Sequence, residues 1–473
     1  MVATQDVAHL CRRAGFGASA SEITTLSAHP TISALVDAIV DDPRNISTLK
    51  PRPVAPRGNR DEGYRGYVRI VKLGRWYLER MSASRFAPTG TPTQVKYVPA
   101  PLLEKMTLFW HGLLVSSAQK PQNLSENFTL LDQHNLFRTH ALGNFQTLLS
   151  DTSKDPAMLI YLDNALSTKD LVNENYGREV LELFSLGVGN YTQTDVIGAS
   201  RAGTGYTLDS RAKYKFDAAI HDNTTKTFFG VDGNWDLTGA AATSGGLDVV
   251  PHLCTTKQVE VSTYLAKLLF QYFAHFTPSP ATISDIATGF RQSGQLNIKD
   301  ALKTIFNHPD FWSATARAGK MKTPPEWVAA CGRALALKTL PRYGNGDDGI
   351  SGATDQMGLF LFNQPSVFGW WRRPEPRWIG YPAFVAKVDA INSMAGQALS
   401  KGTHPVYTLG AMPTATAVDT VLGWFLVDPA TAGATRTRAI EMLDRQRTEG
   451  VGDYWEHLNL IRFIALSPAV QVN

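Results

Sequence analysis

The stretch Asn173-Glu174-Asn175-Tyr176-Gly177-Arg178-Glu179-Val180-Leu181-Glu182-Leu183-Phe184 repeats its apolar residues at helical spacing. With Tyr176 at 0° and about 100° added per residue, Val180, Leu183, Phe184 and Leu186 fill an arc from about 280° through 0° to about 80°. Glu179 falls at about 300°, inside that arc, and Glu182 at about 240°, on its border. A carboxylate inside an apolar arc is costly unless it is paired, protonated or bound to a metal. Two readings follow: Glu179 fixes helix packing through a buried Arg or His, or it works with Glu182 as a carboxylate pair that ligates a metal or moves protons. Arg178 and Glu182 stand four apart and are expected to pair on the outer edge. Glu174 sits near the helix start, where the dipole favours an acid.

Working outward, the helical period holds from 102 to 203. At its start, Glu104, Thr107 and His111 make a polar stripe on a helix that is apolar all round and includes Trp110. A polar stripe on a buried helix needs partners from another helix, and Glu179 and Glu182 are the expected ones. Residues 204–252 change character, with Gly, Thr, Asp and aromatics alternating as in Lys213-Tyr-Lys-Phe216; these read as short strands or hairpins. His221-Asp222 lies in this insert, either as a metal ligand pair or base and orienter, or as the start of a turn.

Elsewhere, residues 4–40 read as two short helices around Ala14-Gly-Phe-Gly17. Further helices are predicted at 63–83, 255–276, 281–293, 297–307, 324–338, 382–399, 415–426, 432–447 and 453–466. Loops are predicted at 41–62, 86–101 and 339–356. Thr192 and Asp195 form a capping box, Asp155-Pro156 opens a helix, and Gly187-Val-Gly189 closes one. The expectation is a mainly α chain forming one large helical globular domain over 1–473, with a small β-hairpin insert.

Hydrophobic residues make up 43% of the 473 and charged ones only 19%, which gives ample core and argues against disorder. A net charge of +4 with scattered basic residues argues against nucleic acid as a partner. The three cysteines form no C-x-x-C pair, so a thiolate zinc site is not expected. No apolar run is long enough to span a membrane. The N-terminus carries no leader pattern, so the chain reads as cytoplasmic unless a leader was removed or it is exported with a partner. There is no Walker loop, no G-x-S-x-G and no strand-linked G-x-G-x-x-G, so neither a nucleotide nor serine-esterase chemistry is expected. Arg138-Thr-His140 is one short match to a haem distal pair without a proximal partner, so haem is not expected either.

The segment Trp370-Trp371-Arg372-Arg373-Pro374-Glu375-Pro376-Arg377-Trp378-Ile-Gly-Tyr381 differs in kind. Aromatics and Arg on a Pro-stiffened loop stack on sugars or planar ligands, or pack against a domain edge.

Several stretches together resemble a bacterial family described as domain of unknown function 1800. They include His9-Leu-Cys-Arg-Arg-Ala-Gly-Phe16-Gly, Phe109-Trp-His111, Asp155-Pro-Ala-Met-Leu-Ile-Tyr-Leu-Asp-Asn164, Asn173 to Gly187, Gly203-Thr-Gly-Tyr206, His221-Asp222, His308-Pro-Asp-Phe311 and Gly369-Trp370. The resemblance covers nearly the whole chain. It implies that many relatives are exported and encoded beside a second family, whose product is then a protein partner. It also implies that the 104–222 region holds the site.

The resulting expectation is a metal-dependent hydrolase acting on a polysaccharide or cell-envelope substrate. Glu174, Arg178, Glu179 and Glu182 would do the catalysis. His111, Glu179, Glu182, His221 and Asp222 would converge on a divalent metal. Trp110, Asn173, Asn175, Tyr206, Trp370, Trp371, Arg373 and Trp378 would bind substrate. Two alternatives stay open: a di-metal oxidoreductase with its site between helices, and a non-enzymatic scaffold that binds a glycan or protein.

Overall fold

The computed structural model describes residues 1–45, 62–82, 100–120, 129–241, 244–337, 339–341, 349–370, 376–400 and 405–472. The chain is mainly α, with its only paired strands among the described residues in two small antiparallel hairpins. Tyr206–Leu208 pairs with Tyr214–Phe216, and Lys226–Phe228 with Val231–Gly233. The second hairpin turns on Phe229 and Gly230, both at positive φ (47° and 74°), the pairing whose twist matches two antiparallel strands. No described helix is long and apolar enough to cross a membrane.

Apolar side chains gather into two clusters. The first draws on residues from Val2 to Ala316. The second takes Trp327 to Val470 and also the Glu62–Ser82 helix, whose Ile70, Leu73, Tyr77, Leu78 and Met81 are buried there. The Pro101–Leu113 helix is the shared wall: Leu103, Met106, Phe109, Trp110 and Leu113 face the first cluster, while Leu108 belongs to the second. A helix that is buried all round needs apolar residues on every side, which is what its sequence carries.

Local signals set many of the helix ends. Thr192 and Asp195 close a capping box on the Gln193–Ala202 helix. Asp155 caps Pro156–Tyr161 through the Met158 amide. Gly187 ends the segment before it at φ +76°.

Some expectations need correction. Residues 4–40 form three helices, Thr4–Arg13, Ala20–Ser27 and Ile32–Val40, because Ser19 and Thr31 each cap a new start. The helix expected over 255–276 is two, Val249–Thr256 and Gln258–Phe273. Gly349–Gln356 is helical where a loop was expected. Its Ile350 and Ala353 are buried in the second cluster, and Ser351 donates to the Val71 carbonyl, so packing overrides the weak propensity of its glycines. The expected loops at 41–62 and 86–101 lie mostly outside the described residues, as do 342–348 of the loop expected at 339–356.

Candidate functional site

The stripe on the Pro101–Leu113 helix finds partners other than the glutamates of 174–182. Glu104 is fully buried and accepts from Arg80 Nε at 2.8 Å and from Arg138 Nη2 at 2.8 Å and Nε at 3.3 Å. Two guanidiniums from neighbouring helices thus compensate its charge. Thr107 donates to the Leu103 carbonyl inside its own helix. His111 Nε2 meets His134 Nδ1 at 3.0 Å, the two rings stacked at 18°. Burial holds His111 down at about 3 and His134 well below its ordinary value, so both imidazoles are neutral at physiological pH. Tyr77, Phe137 and Phe362 wall the pair in.

The Glu174–Leu181 helix is seated by Asn173, whose side chain accepts from the Asn175 amide and donates to the Leu162 carbonyl. Gly177 lets it lie against the Gln193–Ala202 helix: a Cβ there would stand 2.2 Å from Ser200 Oγ and 2.7 Å from Ser200 N. From Glu182 to Leu186 the chain continues as a π-helix, with Ser185 Oγ bonding back to the Val180 carbonyl at 2.5 Å. Such widened turns are uncommon and are frequent at functional sites.

Glu179 and Glu182 flank the entry to this turn, both half-buried. Burial, then the neighbouring Glu182, pushes the Glu179 carboxyl up to about 7, with Arg178 opposing. Glu182 accepts a hydrogen bond from Tyr191. Burial and that bond raise the Tyr191 phenol to about 12. Arg178 does not pair with Glu182 as expected. It turns the other way, to Glu174 Oε2 at 3.5 Å and Gln193 Oε1 at 3.0 Å, because Gln193 also donates to Glu174 and completes a triangle on that side. The outcome is a carboxyl with a raised pKa beside a second, hydrogen-bonded one, the pattern of acid–base pairs.

His221 and Asp222 are held by their surroundings. His221 Nδ1 donates to the Thr204 carbonyl at 2.7 Å, and its buried Nε2 has no partner. Asp222 accepts from Arg201 Nε at 2.7 Å and from Thr224. Burial works to raise Asp222, but these bonds outweigh it and hold the carboxyl at about 2.

The five residues expected to share a metal therefore do not converge. His111 meets His134, Glu182 meets Tyr191, His221 meets Thr204 and Asp222 meets Arg201. Among the described residues, no three His, Cys, Asp or Glu side chains come together in a way that could hold a metal ion.

Of the residues expected to bind substrate, Trp110 and Tyr206 are core. Trp110 donates to the Ala141 carbonyl, and the Tyr206 hydroxyl bonds Asp236 and Thr238. Asn173 is occupied as a cap, while Asn175 is exposed beside it. Trp371 and Arg373 lie outside the described residues. Trp370 and Trp378 line an apolar crevice at the seam between the two clusters. Two residues of interest were missed. Tyr191 follows a helix-ending Gly-x-Gly and reads as loop. Lys320, on the same crevice, sits in Arg317-Ala-Gly-Lys-Met-Lys322, which reads as scattered surface charge.

Fold and site together define a large mainly helical protein with a half-buried carboxylate pair at a π-helical turn. Residues 9–472 match the family described as Protein of unknown function (DUF1800), and the chain belongs to that family. No curated protein and no solved structure matches the chain.

Proposed function

We propose that the chain is a hydrolase of polysaccharide or other cell-envelope substrates, with Glu179 and Glu182 as its acid–base pair. The supporting observation is the Glu179 carboxyl, raised to about 7 beside a second carboxyl on the same helix turn. At neutral pH a group of that kind carries a proton for part of the time and can deliver it to a leaving oxygen. Glu182, steadied by Tyr191, takes the role of the second carboxylate, which activates water or stabilises the developing cation. Glu174, Arg178 and Gln193 tie the outer edge of the same helix together. Two carboxyls in unlike environments are the machinery of glycoside hydrolysis, which is why the substrate class is a glycan. Should a divalent cation activate water instead, Glu179 and Glu182 would be two of its ligands, and no third His, Cys, Asp or Glu joins them among the described residues.

The test is reducing-end release from a panel of soluble polysaccharides and purified cell wall. Turnover falling on the alkaline side near pH 7 is expected, with a loss of about 100-fold or more in Glu179→Gln while its circular dichroism is unchanged. Elemental analysis of parent and variant separates the metal-assisted form, in which stoichiometric metal disappears with Glu179. Turnover at the parent rate in both Glu179→Gln and Glu182→Gln would sink the assignment.

A further inference from the structure

Where the two apolar clusters meet, the Pro101–Leu113 and Gln258–Phe273 helices leave a crevice of about 780 Å3, counted out to its open mouth. Leu113, Leu268, Phe276 and the rings of Trp370 and Trp378 make its walls. One cationic side chain, Lys320, stands among its described lining residues. It is 6% exposed, donates to the Tyr272 carbonyl, and lies 4.3 Å from the centre of the Tyr272 ring.

Behind this wall basic side chains outnumber acidic ones. Glu326 is the carboxylate acting on Lys320, and it is already engaged by Lys105. Arg13 and Lys322 act on the same group of charges. Four buried basic side chains therefore surround one carboxylate, and burial disfavours the charged form of each, most of all at Lys322. Lys105 and Lys320 hold Glu326 at about 2 against its burial. Arg13 Nε and Nη1 find no partner, and Lys322 is met by the Val470 and Val472 carbonyls. The indole N–H groups of Trp370 and Trp378 are also buried without partners. Buried bases short of a counter-charge and unmet donors are costly in a low-dielectric interior, and a ligand carrying negative charge favours the protonated bases and accepts from the donors. The walls offer few acceptors, chiefly Gln271 and Thr323, so a glycan would leave its hydroxyls unmet there.

We propose that this crevice binds an anionic amphiphile, an apolar chain ending in a carboxylate, with the carboxylate at Lys320 and the chain along Leu113, Leu268 and Trp370. Small-molecule sites pair apolar walls with a few placed polar groups, which is the make-up of this crevice. Burial brings Lys320 down to about 7, so the bound carboxylate also restores the charge that burial weakens.

Calorimetric titration of the full chain with decanoate, decanol and acetate tests the proposal. Decanoate binds, acetate does not, and decanol binds about tenfold or more weakly than decanoate. Lys320→Met costs decanoate about tenfold and leaves decanol unchanged. Equal affinity for decanoate and decanol, no decanoate binding to the parent, or an indifferent Lys320→Met each overturns it. Association with anionic phospholipid vesicles but not with monomeric decanoate overturns it too. If Lys320→Met does not fold, Leu268→Trp fills the crevice while keeping the lysine. That variant must then lose decanoate, and retained binding is the contrary result.

Discussion

Glu104 and Glu179 are both carboxyls set within apolar surroundings, and they are met in opposite ways. Glu104 is fully buried, yet three hydrogen bonds from Arg80 and Arg138 reach it. Glu179 is only half-buried, but no ion pair reaches it among the described residues, and its carboxyl is raised to about 7. Depth of burial is thus a poor guide to reactivity. A buried acid with matched cations fixes three helices against one another, whereas a shallower one without them retains a labile proton.

The sharpest way to break this contrast is Glu104→Ala, which leaves two guanidiniums buried around an empty place. Urea denaturation is expected to show a loss of about 3–5 kcal/mol, or a chain that no longer folds. A loss under ~1 kcal/mol would mean that water reaches the junction and that the two sites are alike.

Glu179→Gln should move stability the other way, and only at higher pH. The folded-state pKa of Glu179, about 7, lies above its ordinary 4.5, so its contribution is complete below about 4.5 and lost as pH rises through 7. The neutral glutamine escapes that loss. After allowance for solvent screening of a half-exposed group, the variant should gain ~1 kcal/mol over the parent at pH 8 and match it near pH 4. Thermal melts across that range decide the matter, and a difference independent of pH would place the carboxyl in ordinary solvent.

The smallest effect should come from Arg178→Ala. Its 3.5 Å pair with Glu174 is exposed, and pairs of this kind contribute no more than about 0.5 kcal/mol. A larger loss in the same melts would show Arg178 acting on Glu179 rather than on the surface.

Much of this fold is legible in the residues themselves. Apolar period and punctuation place helices at 382–399 and 453–466, against Tyr381–Ser400 and Asp453–Leu466 in the structure. The wheel sets Glu179 inside its apolar arc, and the half-buried position agrees. Partnership is what spacing along one helix does not encode. His134 stands 23 residues from His111, and Glu326 stands 221 from Lys105. The direction of Arg178 depends on Gln193, which another helix supplies. The widened turn after Leu181 has no composition signal at all, since Glu-Leu-Phe-Ser-Leu reads as ordinary helix.

The placement of the Glu62–Ser82 helix has a consequence for how the chain reaches its native state. Its buried face waits for the Pro324–Ala334 helix, whose first residue follows Ser82 by 242 positions. The Pro101–Leu113 helix and His134 meet part of that face early, through Tyr77 and Arg80, but at a synthesis rate of about 5–20 residues per second the rest waits roughly 10–50 s for its partner to emerge from the ribosome. The N-terminal part of the molecule therefore passes through a period in which a chaperone, or the growing first core, must shield it.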